Sequence, residues 1–191
     1  MNYILYNDYQ AGSFAAIREE GFSSLENPIE CFEAETFYEV FDYMRNISPK
    51  GKIPAIICYP LKEAIITFVT PDINVLQRIV GGSVEIVTTP DMPTVDIICN
   101  EEGKLNKMRL NRALTSNDRV YDVIAGPMVI MGVNESGQNV NPGIKTLEML
   151  YYKFLEPEIF IVDRKQNTIN SVKCSSTTAE IMRENNISII G

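Results

Sequence analysis

The chain has 191 residues, 45% hydrophobic and 22% charged, proportions of a globular protein able to bury a sizeable core, which excludes disorder as its dominant state. Its net charge of −8, from 25 acidic and 17 basic residues, disfavours a nonspecific nucleic-acid binder, which needs a concentrated basic surface. Histidine is absent, which removes Ser-His-Asp and Cys-His catalysis and the usual catalytic zinc sites.

Residues 1–60 are expected to run strand, irregular segment, strand, helix, strand. Tyr3-Ile4-Leu5-Tyr6 has the aromatic and branched side chains of a first strand. Asp8 to Leu25, punctuated by Gly12, Gly21 and serines, reads as a loop or as one short helix near Phe14-Ala15-Ala16-Ile17-Arg18. Ile29 to Glu35 partly alternates and suits a strand. Thr36-Phe37-Tyr38-Glu39 matches a capping box, in which the Thr36 hydroxyl accepts from the Glu39 amide and the Glu39 carboxylate accepts from the Thr36 amide. Phe37, Val40, Phe41 and Met44 then share one helical face. Ser48-Pro49-Lys50-Gly51 stops this helix, and Ile53 to Tyr59 reads as a buried strand.

Pro60 to Glu63 is the best candidate boundary, and residues 64–155 form the next segment. Ile65 to Val69 is a strand. Thr70-Pro71 supplies a capping hydroxyl and a first-turn proline for a helix whose stripe is Ile73, Leu76 and Val80, with Gly81 ending it in the left-handed conformation. Ser83 to Thr89 and Val95 to Asn100 read as strands. Glu101-Glu102-Gly103-Lys104 reads as a tight hairpin turn with Gly103 at positive φ. Val123 to Val133 is the longest apolar strand, Asn134-Glu135-Ser136-Gly137 a second turn, and Thr146 to Phe154 a helix burying Leu147, Leu150, Tyr151 and Phe154.

Residues 156–191 add a strand at Glu158 to Val162, a capping-box match at Thr177-Thr178-Ala179-Glu180 and a closing strand at Ile187 to Ile190. Strands separated by tight turns and mixed with helices point to an α+β fold, with a mixed, largely antiparallel sheet and helices packed on it. No linker is longer than residues 60–63, so one compact body is expected. Cys31, Cys58, Cys99 and Cys174 are widely spaced, three of them in strand-like runs, and are expected as reduced core residues. No apolar run approaches the roughly 18 to 20 residues that span a bilayer. The start, Met1-Asn2-Tyr3-Ile4, lacks the basic head of a secretory leader, so a cytoplasmic location is expected.

Four clusters stand out between Val80 and Gly132. They are Val80-Gly81-Gly82, Asn100-Glu101-Glu102-Gly103-Lys104-Leu105, Leu110-Asn111-Arg112-Ala113-Leu114, and Tyr121-Asp122-Val123-Ile124-Ala125-Gly126-Pro127. At this spacing they resemble, over residues 64–155, the domain of unknown function 3846 family of phages and bacterial mobile elements. The resemblance marks Asn100, Glu101, Gly103, Asn111, Arg112, Asp122, Ala125 and Gly126 and implies no mechanism.

Physically, the glycines suit turns or close packing, and Asn100 suits an Asx-type turn. Asn111-Arg112 is different, because it lies between Leu110 and Ala113-Leu114, which seek burial. A guanidinium there has to pair with a carboxylate such as Asp122 or Glu101, or face an anion of a ligand or partner, which Arg109 would share. The candidate binding residues are therefore Asn100, Glu101, Arg109, Asn111, Arg112 and Asp122. Glu101 and Glu102 are adjacent and face different directions, so they make a poor catalytic pair. Ser175-Ser176-Thr177-Thr178 could present amides to a phosphate, although a plain N-cap explains it as well. No catalytic residue, metal site or cofactor is assigned.

Three functions fit. The first is a non-enzymatic phage or mobile-element protein that binds and inhibits a host protein such as a defence component. The second is a small-ligand binder that sequesters a nucleotide-derived signal, and the third a carboxylate-dependent enzyme. Direct nucleic-acid or membrane binding is not expected, and self-association stays open.

Overall fold

The computed structural model describes residues 1–21, 28–89, 91–117, 119–163, 168–175, 177–179 and 181. The fold is α+β, with every described strand pairing antiparallel. Its frame is a nine-stranded sheet. The strands are β1 (Asn2–Asp8), β2 (Ser13–Arg18), β3 (Pro28–Glu33), β4 (Ile53–Cys58), β5 (Ile65–Val69), β6 (Val84–Thr89), β7 (Met92–Asn100), β10 (Met128–Val133) and β11 (Asn139–Val140). Their order is β3-β1-β2-β5-β4-β10-β7-β6, with the short β11 beside β10. Two further hairpins stand outside it, β8 (Leu110–Ser116) with β9 (Arg119–Ala125), and β12 (Glu158–Asp163) with β13 (Thr168–Lys173).

The segment around Phe14 to Arg18 is a strand, neither loop nor helix. Ala15, Ala16 and Ile17 are all buried, because β2 sits inside the sheet and is covered on both faces. Such a strand reads as a continuous apolar run without alternation. Asp8 closes the β1–β2 turn, its carboxylate accepting from the amides of Gln10 (3.0 Å) and Ala11 (2.9 Å) and from the Tyr59 hydroxyl (2.7 Å). Burial and the neighbouring Asp8 charge both push the Tyr59 phenol upward, so it stays a donor.

Each face of the sheet carries its own core. On one, Leu5, Ala16, Ile56, Ile66, Ile97 and Ile130 meet α1 (Phe37–Ile47) and α3 (Ile144–Phe154). On the other, Ile4, Ile17, Ile57, Ile65, Ile98 and Val129 meet α2 (Ile73–Val80). The α1 capping box forms as its sequence requires, with Glu39 N–H to Thr36 Oγ1 at 3.3 Å and Thr36 N–H to Glu39 Oε2 at 3.4 Å, and Phe37, Val40, Phe41 and Met44 are buried. The start of α2 differs from expectation. Asp72, not Thr70, is the N-cap, accepting from the Asn74 amide at 2.9 Å, and Ile73 faces solvent while Leu76, Ile79 and Val80 are buried. Gly81 ends the helix at φ 78°.

Residues 60–63 form a tight turn between hydrogen-bonded neighbours β4 and β5, and β2 pairs with β5, so residues before and after that turn build one sheet. Arg18 on β2 also grips Glu63 in this turn bidentately, at 2.9 and 2.6 Å, with Glu63 buried. The expected long strand from Val123 to Val133 is two strands. Gly126, at φ 83°, lets the chain leave β9 and enter the sheet as β10.

Strand β13 follows β12 where no element was expected. At the last helical turn, Ser175 rather than Thr177 provides the cap, its hydroxyl accepting from the Thr178 amide at 3.2 Å. Glu180 and the expected strand at Ile187 to Ile190 lie outside the described residues. No helix of the described residues is long and apolar enough to cross a membrane.

All four cysteines are free, but not all are core: Cys31, on edge strand β3, is exposed, and Cys174 is half-buried. Burial pushes the thiols of Cys58 and Cys99 up to about 11. At pH 7.5 a thiol reagent is therefore expected to modify Cys31 rapidly in the native protein, and Cys58 and Cys99 only after unfolding. Equal native-state rates for the three, read by mass spectrometry, would contradict this packing.

Candidate functional site

The four sequence clusters meet in one place. Asn100 ends β7 and is buried. Its side-chain amide donates to the Val80 carbonyl (3.2 Å), and its Oδ1 accepts from the Glu102 amide (2.9 Å), the Asx turn its sequence predicts. A Cβ on Gly82 would lie 2.6 Å from the Asn100 amide nitrogen, so only glycine lets this bond form. Gly103 is not at positive φ, contrary to expectation. It is required because a Cβ would lie 2.6 Å from the Ala125 carbonyl oxygen, where the turn after β7 packs on the end of β9.

Hairpin β8–β9 carries two bulges. Leu110 pairs with Ala125 and Arg112 with Ile124, which leaves Asn111 as the extra residue of β8. Leu114 pairs with Asp122 and Thr115 with Val120, which makes Tyr121 the extra residue of β9. A bulge redirects the side chains around it. The first turns Asn111 inward, where its amide donates to the carbonyls of Cys58 (2.7 Å) and Gly126 (2.8 Å). The second leaves Tyr121 in solvent, 47% exposed.

Arg112 is 0% exposed, and its partners are not those expected. Its Nε donates to the Phe154 carbonyl (3.0 Å), one Nη to the Asn111 carbonyl and Oδ1 (3.2 and 2.9 Å), and the other to the carbonyls of Lys62 (2.7 Å) and Leu155 (3.5 Å). All five guanidinium N–H groups are thereby used. Phe154 and Leu155 end α3, so the cation caps that helix where unsatisfied carbonyls concentrate partial negative charge. Among the described residues no ion pair includes Arg112. Asp122 pairs instead with Lys104, and Glu101 lies exposed in the turn. The nearby negative charge is Glu158, buried on β12, whose carboxylate accepts from the Ala113 amide at 3.0 Å. Both charges act on the buried Cys58 thiol.

The structure thus gathers Asn100, Asn111 and Arg112 into the interior as a polar seam. Glu101 is left outside, Arg109 is half-buried with its carbonyl accepting from Gly126 at 2.9 Å, and Asp122 sits at the rim. Arg112 is closed to any ligand anion. Among the described residues no group of three or more metal-ligating side chains comes together.

A concave surface does exist beside the seam. Hairpin β12–β13 lies on β8–β9 through Phe160 against Ala113 and Val123. Beyond that contact a cleft of about 920 Å³ opens, lined by residues 119–123 of β9, residues 169–171 of β13, and Lys104, Leu110 and Thr115. Arg119, Tyr121 and Ile169 were missed in the sequence, since β13 gave no recognisable period and the Tyr121 bulge depends on pairing.

Replacing Arg112 with Ala is expected to lower the unfolding free energy by about 3 to 5 kcal/mol, through the void and the carbonyls left without donors. Arg112→Lys should recover only part of this, because an ammonium has no forked set of donors. Urea unfolding measures both, and an Arg112→Ala loss below about 1 kcal/mol, the level of an exposed ion pair, would refute the buried-anchor assignment.

Asn100, Asn111 and Arg112 all lie in a region that matches a known family. The family described as Domain of unknown function (DUF3846) matches residues 53–151, starting earlier than the sequence clusters alone indicate and taking in β4 with the Cys58 carbonyl that receives Asn111. No curated protein and no solved structure matches the chain. The match spans just over half of the 191 residues, and the chain belongs to this family of unknown function.

Proposed function

We propose that the chain is a non-catalytic binding protein of a phage or mobile element, which engages and inhibits a host protein inside the bacterial cell through the cleft between β9 and β13. The observation that carries this reading is the cleft itself. Tyr121 and Ile169, 47% and 42% exposed, flank a concave surface beside the exposed Arg119. Aromatic and arginine side chains are the groups most often dominant at protein interfaces. The association with phages and mobile elements comes from the resemblance stated above and is one of biology rather than of physics. The polar residues of the family clusters support the reading indirectly. Asn100, Asn111 and Arg112 are bonded internally, which leaves the rim and cleft as the surface for recognition.

A second reading, a small nucleotide-like ligand, draws on the cleft volume of about 920 Å³, within the usual range for ligand sites, with Arg119 in the role first given to Arg112. A photoreactive amino acid placed at position 121 in the producing cell separates the two. We expect it to cross-link one protein that the same group at Tyr38, exposed on α1, does not capture. Absence of a cleft-specific cross-link, together with a small molecule released from the purified protein, would replace the first reading with the second.

A further inference from the structure

Resting on that binding reading, we infer that the cleft takes an extended peptide segment of its partner as an added strand, with an acidic residue of that segment at Arg119 and an apolar one between Tyr121 and Ile169. The lining itself points to a strand. Residues 119–123 and 169–171 are consecutive runs, yet successive side chains of a strand face opposite ways. On β13, which pairs with β12 without a bulge, such a run lines one surface along the strand's rim, where main-chain donors and acceptors lie, while on β9 the Tyr121 bulge breaks the alternation.

Among the described residues β9 pairs only with β8 and β13 only with β12, so each strand keeps an unpaired side. An extended backbone can use such a rim, and this is how strand addition achieves affinity through the main chain and specificity through alternate side chains. Asp122 limits the register. Its carboxylate already accepts from the Val123 amide at 2.7 Å, so added pairing along β9 is confined to the stretch from Arg119 to Tyr121.

Charge selects the occupant. The chain carries −8 overall, but the charged side chains lining the cleft are Lys104, Arg119 and Asp122. Lys104 and Asp122 satisfy each other, and Arg119 is in no ion pair among the described residues. A lone exposed guanidinium on an acidic protein favours a carboxylate from outside, and it would repel a basic segment that the rest of the surface attracts.

The test uses the full chain and immobilised synthetic peptides alternating Val or Ile with Glu, beside versions with Lys in place of Glu and versions N-methylated at alternate residues. We expect the Glu series to bind, N-methylation to abolish binding, and Arg119→Glu to weaken the Glu series about tenfold or more while improving the Lys series. Tyr121→Ala should weaken both series. Both residues are exposed, so thermal melts of the variants should match the parent. Binding indifferent to N-methylation, or to Arg119→Glu, overturns the proposal, as does no binding by any series. If the cross-link at position 121 still captures a protein while every peptide fails, only the strand-addition inference falls. If that cross-link also fails, the binding reading falls with it.

Discussion

The buried guanidinium of Arg112 is the constraint on which the arrangement of this protein depends. Taking a cation out of water is expensive, and here it is offset by main-chain and amide oxygens from three places at once. These are the turn after β4, the end of α3 and the bulge of β8. The carbonyls of Phe154 and Leu155 belong to a helix terminus whose dipole favours a cation, so the helix is capped and the charge compensated by the same bonds. One residue further on, the Ala113 amide donates to Glu158 and ties in the outer hairpin β12–β13. Sheet, helix and both hairpins are therefore joined within two consecutive residues of β8.

The glycines around this seam act through proximity more than through flexibility. Gly82 leaves space for the side chain of Asn100, and Gly103 for the carbonyl of Ala125; neither is at positive φ. Gly126 combines both demands, since its φ is 83° and a Cβ would come within 2.6 Å of the Met108 sulfur. The spacing of the sequence clusters thus records which backbones touch. Asn100, Asn111 and Arg112 serve those contacts, which is why these three residues of a pattern that looks like a binding motif lie inside the protein.

Features of this fold were legible in the sequence where their cause is local. The α1 capping box and its stripe need only residues 36–44, and the Asn100 turn only residues 100–102, so each could be read directly. Where the cause is distant, reading failed. Ala15-Ala16-Ile17 has no alternation because helices cover both faces of β2's sheet, and nothing local distinguishes that from a short helix. Arg112 was recognised as a residue needing acceptors, but its acceptors are carbonyls 42 and 50 residues away, which carry no side-chain signature. A carboxylate was the visible candidate, and Asp122 is taken by Lys104. Tyr121 owes its exposure to strand register, which hydrophobic pattern alone does not define when two bulges occur in one hairpin.

The position of the cleft relative to the family match bears on what the family could share. Residues 119–123 lie within the matched span of 53–151, together with Asn100, Asn111 and Arg112, while the Phe154 and Leu155 carbonyls that Arg112 caps lie just beyond it. Residues 169–171, on the opposite wall, lie outside it. The cleft therefore has one wall within the matched span and the other on hairpin β12–β13, outside it. Changes in β13 alter Ile169 and its neighbours without disturbing Arg112, whose partners are all within residues 62–155. On the proposed reading, charge and aromatic selection then rest on Arg119 and Tyr121 within the matched span, held on a rigid support, and the hairpin adds the apolar contact of Ile169 facing them.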